Sequence, residues 1–196
     1  EITTSDSLRT AVNLELYLPE KVYETFDFKF AHGDIKVEKI AVDNLEIDQV
    51  NGEVELVETT NKDINVTIKN GEIKVLDGST NVLKLNSVNG NIRVTSAFED
   101  GDVNLVNGNI LLTQNQDTPR KLMVKNVNGD VKLSVPEYLG LVGHVRTVFG
   151  GYKTRLNLDN PFEASRNGAA VVRTGPDTLT FELETKSGTI WLKDID

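Results

Sequence analysis

Ser87-Val88-Asn89-Gly90-Asn91-Ile92-Arg93-Val94 returns eighteen residues later as Leu105-Val106-Asn107-Gly108-Asn109-Ile110-Leu111-Leu112. Both stretches carry an Asn-Gly step followed by apolar residues at alternate positions. Outward from this pair, the same step occurs in His32-Gly33-Asp34-Ile35, Asn51-Gly52-Glu53-Val54, Asn70-Gly71-Glu72-Ile73 and Asn128-Gly129-Asp130-Val131. Weaker copies are Phe149-Gly150-Gly151, Asn167-Gly168-Ala169 and Ser187-Gly188-Thr189-Ile190. The glycines at 33, 52, 71, 90, 108, 129, 150, 168 and 188 are separated by 19, 19, 19, 18, 21, 21, 18 and 20 residues. A period near twenty fits a leucine-rich repeat or a β-helix, and the missing leucine frame leaves the β-helix.

The alternation after each glycine, as in Ile35/Val37, Val54/Leu56, Ile73/Val75 and Val131/Leu133, has the period of two of a strand with one buried face. A second short strand follows in each period, as in Leu45/Ile47, Ile64/Val66/Ile68, Leu83/Leu85, Val103/Leu105, Leu122/Val124 and Leu179/Phe181/Leu183. Asn-Gly is also the strongest hairpin signal, so an antiparallel sandwich is the rival. A hairpin series repeats in mirror image, whereas these copies repeat by translation, with Val-Asn-Gly preceding the strand in several of them. The expected fold is therefore all-β: a parallel β-solenoid of about nine rungs of 19–21 residues, stacked about 4.8 Å apart. Right-handed coiling is favoured by the chirality of parallel crossovers. One domain spans residues 1–196, with an N-terminal cap and first strands over 1–30, repeats over 31–192 and a tail over 193–196. Leu14 to Pro19 and Phe26/Phe28/Phe30 belong to the expected N-terminal cap, and Ile190-Trp191-Leu192 is expected to close the other end.

The expected corner residues are Gly33, Asn51, Gly52, Asn70, Gly71, Asn89, Gly90, Asn107, Gly108, Asn128, Gly129 and Gly188. Glycine suits a corner with positive φ or a close approach of the next coil. Stacked asparagines one rung apart can bond to one another as a ladder. Asp34, Glu53 and Glu72, each directly after a glycine, read as a solvated acidic column or, alternatively, as a cation site; no metal or other cofactor is assigned.

Composition narrows the functional classes. The formal charge of −9 opposes nucleic acid or an anionic membrane as partner, since either needs a basic patch, which here would have to be local. There is no cysteine, hence no disulfide framework or thiolate metal site. His32 and His144 are the two histidines, too few for the usual zinc sets. No nucleophile elbow, phosphate-binding loop or calcium-binding repeat is present, and the acids are spread evenly rather than clustered as glycosidase chemistry requires. The chain reads as a non-enzyme. No apolar run is long enough to span a bilayer, and any anchoring segment is expected outside this stretch.

One segment breaks the repeat: Pro136 to Lys153 is Gly-rich, aromatic and locally basic. Its Tyr138, His144, Arg146, Phe149, Tyr152 and Lys153 are the candidate partner-binding residues, since interruptions on rigid scaffolds often carry binding groups. The competing reading makes them an irregular rung whose aromatics fill the core.

Leu18-Pro19-Glu20-Lys21, the serial Val-Asn-Gly-Asn-Ile copies and the closing Glu184-Thr185-Lys186-Ser187-Gly188-Thr189-Ile190 resemble the DUF4097 adhesin-like domains of bacterial envelope proteins. In style the repeats are most similar to those of LiaX-type surface proteins of Gram-positive bacteria. The resemblance implies a domain of the bacterial cell envelope, on the extracellular surface or membrane-associated, active in envelope-stress sensing and antimicrobial-peptide resistance. It implies a protein partner at the membrane or another domain of the same protein; a glycan or host surface, as for an adhesin, is the alternative, and a carbohydrate-active enzyme ranks below both. The matched residues are corners, so no catalytic residue is carried over.

Overall fold

A computed structural model describes residues 16–115, 119–160, 162–165 and 168–195; Leu14, Glu15 and Asn167 lie outside them. The described residues form strands, turns and irregular chain, with no helix. Each rung of the solenoid contributes one strand to a long face and one to a short face, joined by the Asn-Gly corner.

The first three turns are β1 (Val22–His32) with β2 (Ile35–Glu38), β3 (Ala41–Asn51) with β4 (Val54–Val57), and β5 (Thr60–Asn70) with the start of β6 (Ile73–Asn89). β6 and β7 (Ile92–Asn107) each run from the short face around the second corner onto the long face. β8 (Ile110–Gln114) completes the fifth turn, and β9 (Lys121–Asn128) with β10 (Val131–Val135) forms the sixth. All of these pair in parallel, with a nineteen-residue offset in the first turns, as in Leu45↔Ile64↔Leu83.

Beyond the sixth turn the spatial order departs from the chain order. β11 (Gly140–Phe149) and β12 (Tyr152–Thr154) do not stack on β9 and β10. The last two strands, β14 (Thr178–Ser187) and β15 (Ile190–Asp194), occupy that place. β14 pairs in parallel with β9 on one side and β11 on the other, and β15 lies between β10 and β12 in the same way. The chain thus makes six consecutive turns, leaves one slot open, builds the eighth rung and returns to fill the seventh. β13 (Ala169–Arg173) runs antiparallel to β11 and covers its free edge.

Three expectations change accordingly. The nine glycine marks correspond to eight stacked rungs. Gly168 is no corner; it faces Ser165 in an isolated bridge leading into β13. Ile190-Trp191-Leu192 lies inside the stack rather than at its end, with β15 continuing to Asp194. The end is closed instead by β11, β13 and the chain after β12, whose Leu156, Leu158 and Phe162 pack against the core.

The core is made of side-chain columns along the stacking axis. One runs through Phe26, Leu45, Ile64, Leu83, Gly101, Leu122, Phe181 and Gly143. Glycine appears where a neighbouring ring needs the volume. A Cβ at Gly101 would come within 2.8 Å of Phe98, and one at Gly143 within 2.6 Å of Phe181. Phe98 and Phe181 are both buried, so the column keeps its density despite gaps in side-chain size.

Candidate functional site

The repeated polar residues hold rungs together. Asn70, Asn89, Asn107 and Asn128 each donate from Nδ2 to Oδ1 of the asparagine one rung before, at 2.8, 2.8, 2.8 and 2.9 Å. The ladder starts at Asn51, whose Nδ2 lies 3.1 Å from His32 Nδ1. Beside it, the carbonyl of each corner glycine from Gly33 to Gly188 is directed at the corner glycine of the next rung. At four of the adjoining core positions a polar side chain donates to such a carbonyl: Gln49 to Gly33, Asn126 to Gly108 at 3.0 Å, Thr185 to Gly129 at 3.0 Å and Thr147 to Gly188 at 3.1 Å.

The residues after the glycines are engaged too. Asp34 Oδ1 accepts the Glu53 N–H at 2.8 Å, and Asp130 Oδ1 accepts the Thr189 N–H at 2.7 Å. Glu53 and Glu72 lie 2.6 and 3.5 Å from Lys74 Nζ. The hydrogen bond that Lys74 donates to the Glu53 carboxylate is the largest influence raising the Lys74 pKa. Among the described residues no group of three or more acids or histidines is placed to hold a metal ion.

The six candidate binding residues are dispersed. Tyr138, 53% exposed, stands in the turn before β11, and Phe149, 67% exposed, stands at the opposite end of that strand. Nine residues of extended chain put them about 30 Å apart. His144 and Arg146 face outward from the long face, where Arg146 lies 3.8 Å from Glu184. Tyr152 points inward: its ring packs on Phe162 at 6.1 Å between centroids, and its oxygen accepts the Thr147 N–H at 2.9 Å. Lys153 projects from the short face. Spacing in the chain does not make these residues one site.

Lys153 instead joins a cluster that the repeat alone does not reveal. Trp191, half-buried on the outer short face, has the Lys132 ammonium 4.6 Å from its ring centroid. The Arg155 guanidinium lies 5.8 Å and the Lys153 ammonium 6.0 Å from it. Lys132, Trp191 and Lys153 occupy one column on three successive rungs. On the long face, a shallow depression is bordered by Asn86, Val88, Asn104, Val106, Lys125 and Val127.

This architecture defines a class: a parallel β-solenoid scaffold whose repeated residues build the stack and whose outer faces are available to partners. The chain belongs to the Toastrack DUF4097 family, whose model matches residues 6–193. Among solved structures it is similar to a protein from Clostridium sporogenes ATCC 15579 described as a putative cell adhesion protein, with 14% identity and a TM-score of 0.39. That similarity covers 69% of this chain and 56% of the other, so this chain spans little more than half of that relative. No helix among the described residues is long and apolar enough to cross a membrane.

Proposed function

We propose that the chain is a non-catalytic interaction module of the bacterial envelope, displayed at the surface or next to the membrane, that senses or regulates envelope stress and the response to antimicrobial peptides. Its partner is a membrane protein or another part of its own polypeptide. One observation carries the non-catalytic part: the repeated polar side chains are consumed in bonds between rungs, from the asparagine ladder to the glycine carbonyls. The carboxamides that make up the ladder are not among the side chains that carry general acid–base chemistry. The envelope-stress role rests on the resemblance of the repeats to LiaX-type surface proteins.

A second reading, adhesion to a glycan, is favoured by the exposed rings of Tyr138 and Phe149, which offer apolar contact surface. A pull-down from Gram-positive membranes with this domain as bait, followed by mass spectrometry, separates the two. Reproducible recovery of an envelope-stress membrane protein, lost on substitution of outward-facing residues, supports the regulatory module. Retention of cell-wall polysaccharide alone moves the assignment to the adhesin.

A further inference from the structure

Charge on the outer short face is segregated along the stacking axis. On the first three rungs five acids, Asp34, Glu38, Glu53, Glu55 and Glu72, surround Lys36 and Lys74. Those two lysines are paired: Lys36 lies 3.1 Å from Glu38, and Lys74 lies 2.6 Å from Glu53. From the fourth rung onward the balance reverses. Among the described residues, Arg93, Lys132, Lys153 and Arg155 stand against two carboxylates, Asp130, which is engaged with the Thr189 N–H, and Asp194, which is paired with Arg173. Arg93, Lys132, Lys153 and Arg155 make no ion pair with any carboxylate among the described residues.

The central column of this half reads Arg93, Leu111, Lys132, Trp191, Lys153 on five successive rungs. Cations recur on every second rung, about 10 Å apart at the parallel-strand spacing. Between them stand an exposed leucine and the tryptophan. We propose that this face binds an acidic polysaccharide lying along the stacking axis, with its carboxylates or sulfates on the cations and the apolar faces of its sugar rings over Leu111 and Trp191.

The alternation selects this chemistry over other polyanions. A nucleic acid duplex presents about one charge per 1.7 Å of axis, far denser than one cation per two rungs. An anionic bilayer is best held by an apolar anchor inserted between headgroups, whereas the Trp191 ring is half-buried and covered by the Lys132 ammonium. The overall charge of −9 does not cancel the patch, because screening confines the field of the distant acids to about 8–10 Å at physiological salt.

This assignment rests on the reading of the chain as a surface interaction module and names one of its ligands. Trp191 is the sole tryptophan, so its fluorescence reports the patch directly. Titration with oligogalacturonate is expected to shift that emission saturably, with an affinity that falls about tenfold or more between 50 and 300 mM salt. Lys132→Glu combined with Lys153→Glu should weaken binding about tenfold or more while leaving the far-UV spectrum and Tm unchanged. Lys84→Glu with Lys125→Glu, on the long face, should leave binding as it was. Absence of binding at low salt, equal losses in both double variants, or tighter binding to polyphosphate or phosphatidylglycerol vesicles than to oligogalacturonate overturns the proposal. A membrane-protein pull-down that persists in the Lys132→Glu/Lys153→Glu variant separates failure of this site from failure of the broader reading.

Discussion

At Gly90 two demands meet in one residue. Its φ is +136°, a region that side-chain-bearing residues rarely adopt, and a Cβ there would fall on the carbonyl oxygen of Gly71, one rung before. Gly33 shares the positive φ, at +124°, but a Cβ there meets nothing within 4 Å. Gly33→Ala should therefore cost only backbone strain, about 1–3 kcal/mol. Gly90→Ala should cost at least about 2 kcal/mol more, placing it in the exceptional tail of point mutations. Denaturant unfolding of the two variants checks the difference, and equal losses would mean that the corners do not touch. The second corner behaves oppositely. Lys39, Glu58 and Asp77 hold φ of 52°, 52° and 55° with ordinary side chains, so each carries a left-handed strain of about 1 kcal/mol. Glu58→Gly should raise stability by up to about 0.5 kcal/mol in denaturant unfolding, since relief of that strain slightly exceeds the added freedom of the unfolded chain. The first corner was legible in the sequence because glycine and asparagine announce it. The second was not, because lysine, glutamate and aspartate carry no such signal.

Among the elements, β13 shows how the closing end is fastened. Arg173, 6% exposed, donates from Nε to the Leu139 carbonyl at 2.8 Å and from a terminal nitrogen to the Pro136 carbonyl at 2.6 Å. Its other terminal nitrogen lies 2.5 Å from Asp194 at the end of β15. One guanidinium thus ties together the turn before β11, the edge strand and the last rung. Arg173→Ala should cost about 3–5 kcal/mol, the range for breaking a buried pair by removing one partner. Arg173→Met, which keeps the aliphatic stem, should recover part of that loss; thermal unfolding of both variants is the check. A weaker fastening lies beside it. Asp159 accepts from both Oγ1 and N–H of Thr174, each at 2.6 Å, and the hydroxyl bond first, the backbone bond second, hold its pKa below the usual 3.8. A lowered carboxylate pKa means that the contribution is complete above the ordinary value and disappears as pH falls through the depressed one. The Thr174 amide should therefore exchange faster with solvent as pH is lowered through that range, after correction for intrinsic exchange, and Asp159→Ala should abolish the pH-dependent part. The strands of both faces were readable from their alternation, as at Ile64/Val66/Ile68. The fastening was not, because Arg173 and Asp194 are 21 residues apart in the chain and meet only once β15 is in place.

The whole molecule departs from a simple solenoid in the order of its last two rungs, and that order decides both its binding face and its stability. Translation of the glycine step predicted parallel stacking correctly, but the step is the same whichever neighbour a rung meets, so the sequence could not say that β14 and β15 would enter between earlier strands. The Trp191 cluster was hidden for the same reason: Lys132, Trp191 and Lys153 share a column only because residue 191 is inserted between 132 and 153. In an ordinary repeat protein each unit contacts its neighbours, and loss of the terminal unit frays only the end. Here the C-terminal residues form an interior rung. β14 is bonded along most of its length to both β9 and β11, so a chain ending at Asp177 would lose a strand with partners on both sides. β11 and β12 would then be separated from the six-turn body by an empty rung, β11 keeping β13 as its sheet neighbour and β12 losing its partner β15. Hydrogen exchange on such a truncated chain should show lost protection across residues 140–154 and 169–173, although none of these residues is deleted. Protection should persist over residues 41–107, whose pairing partners all precede residue 130. Loss confined to the residues bordering the cut would mean that β11 and β12 can dock directly on β9 and β10. The last rung would then be an addition to a finished stack rather than the element that joins its two parts.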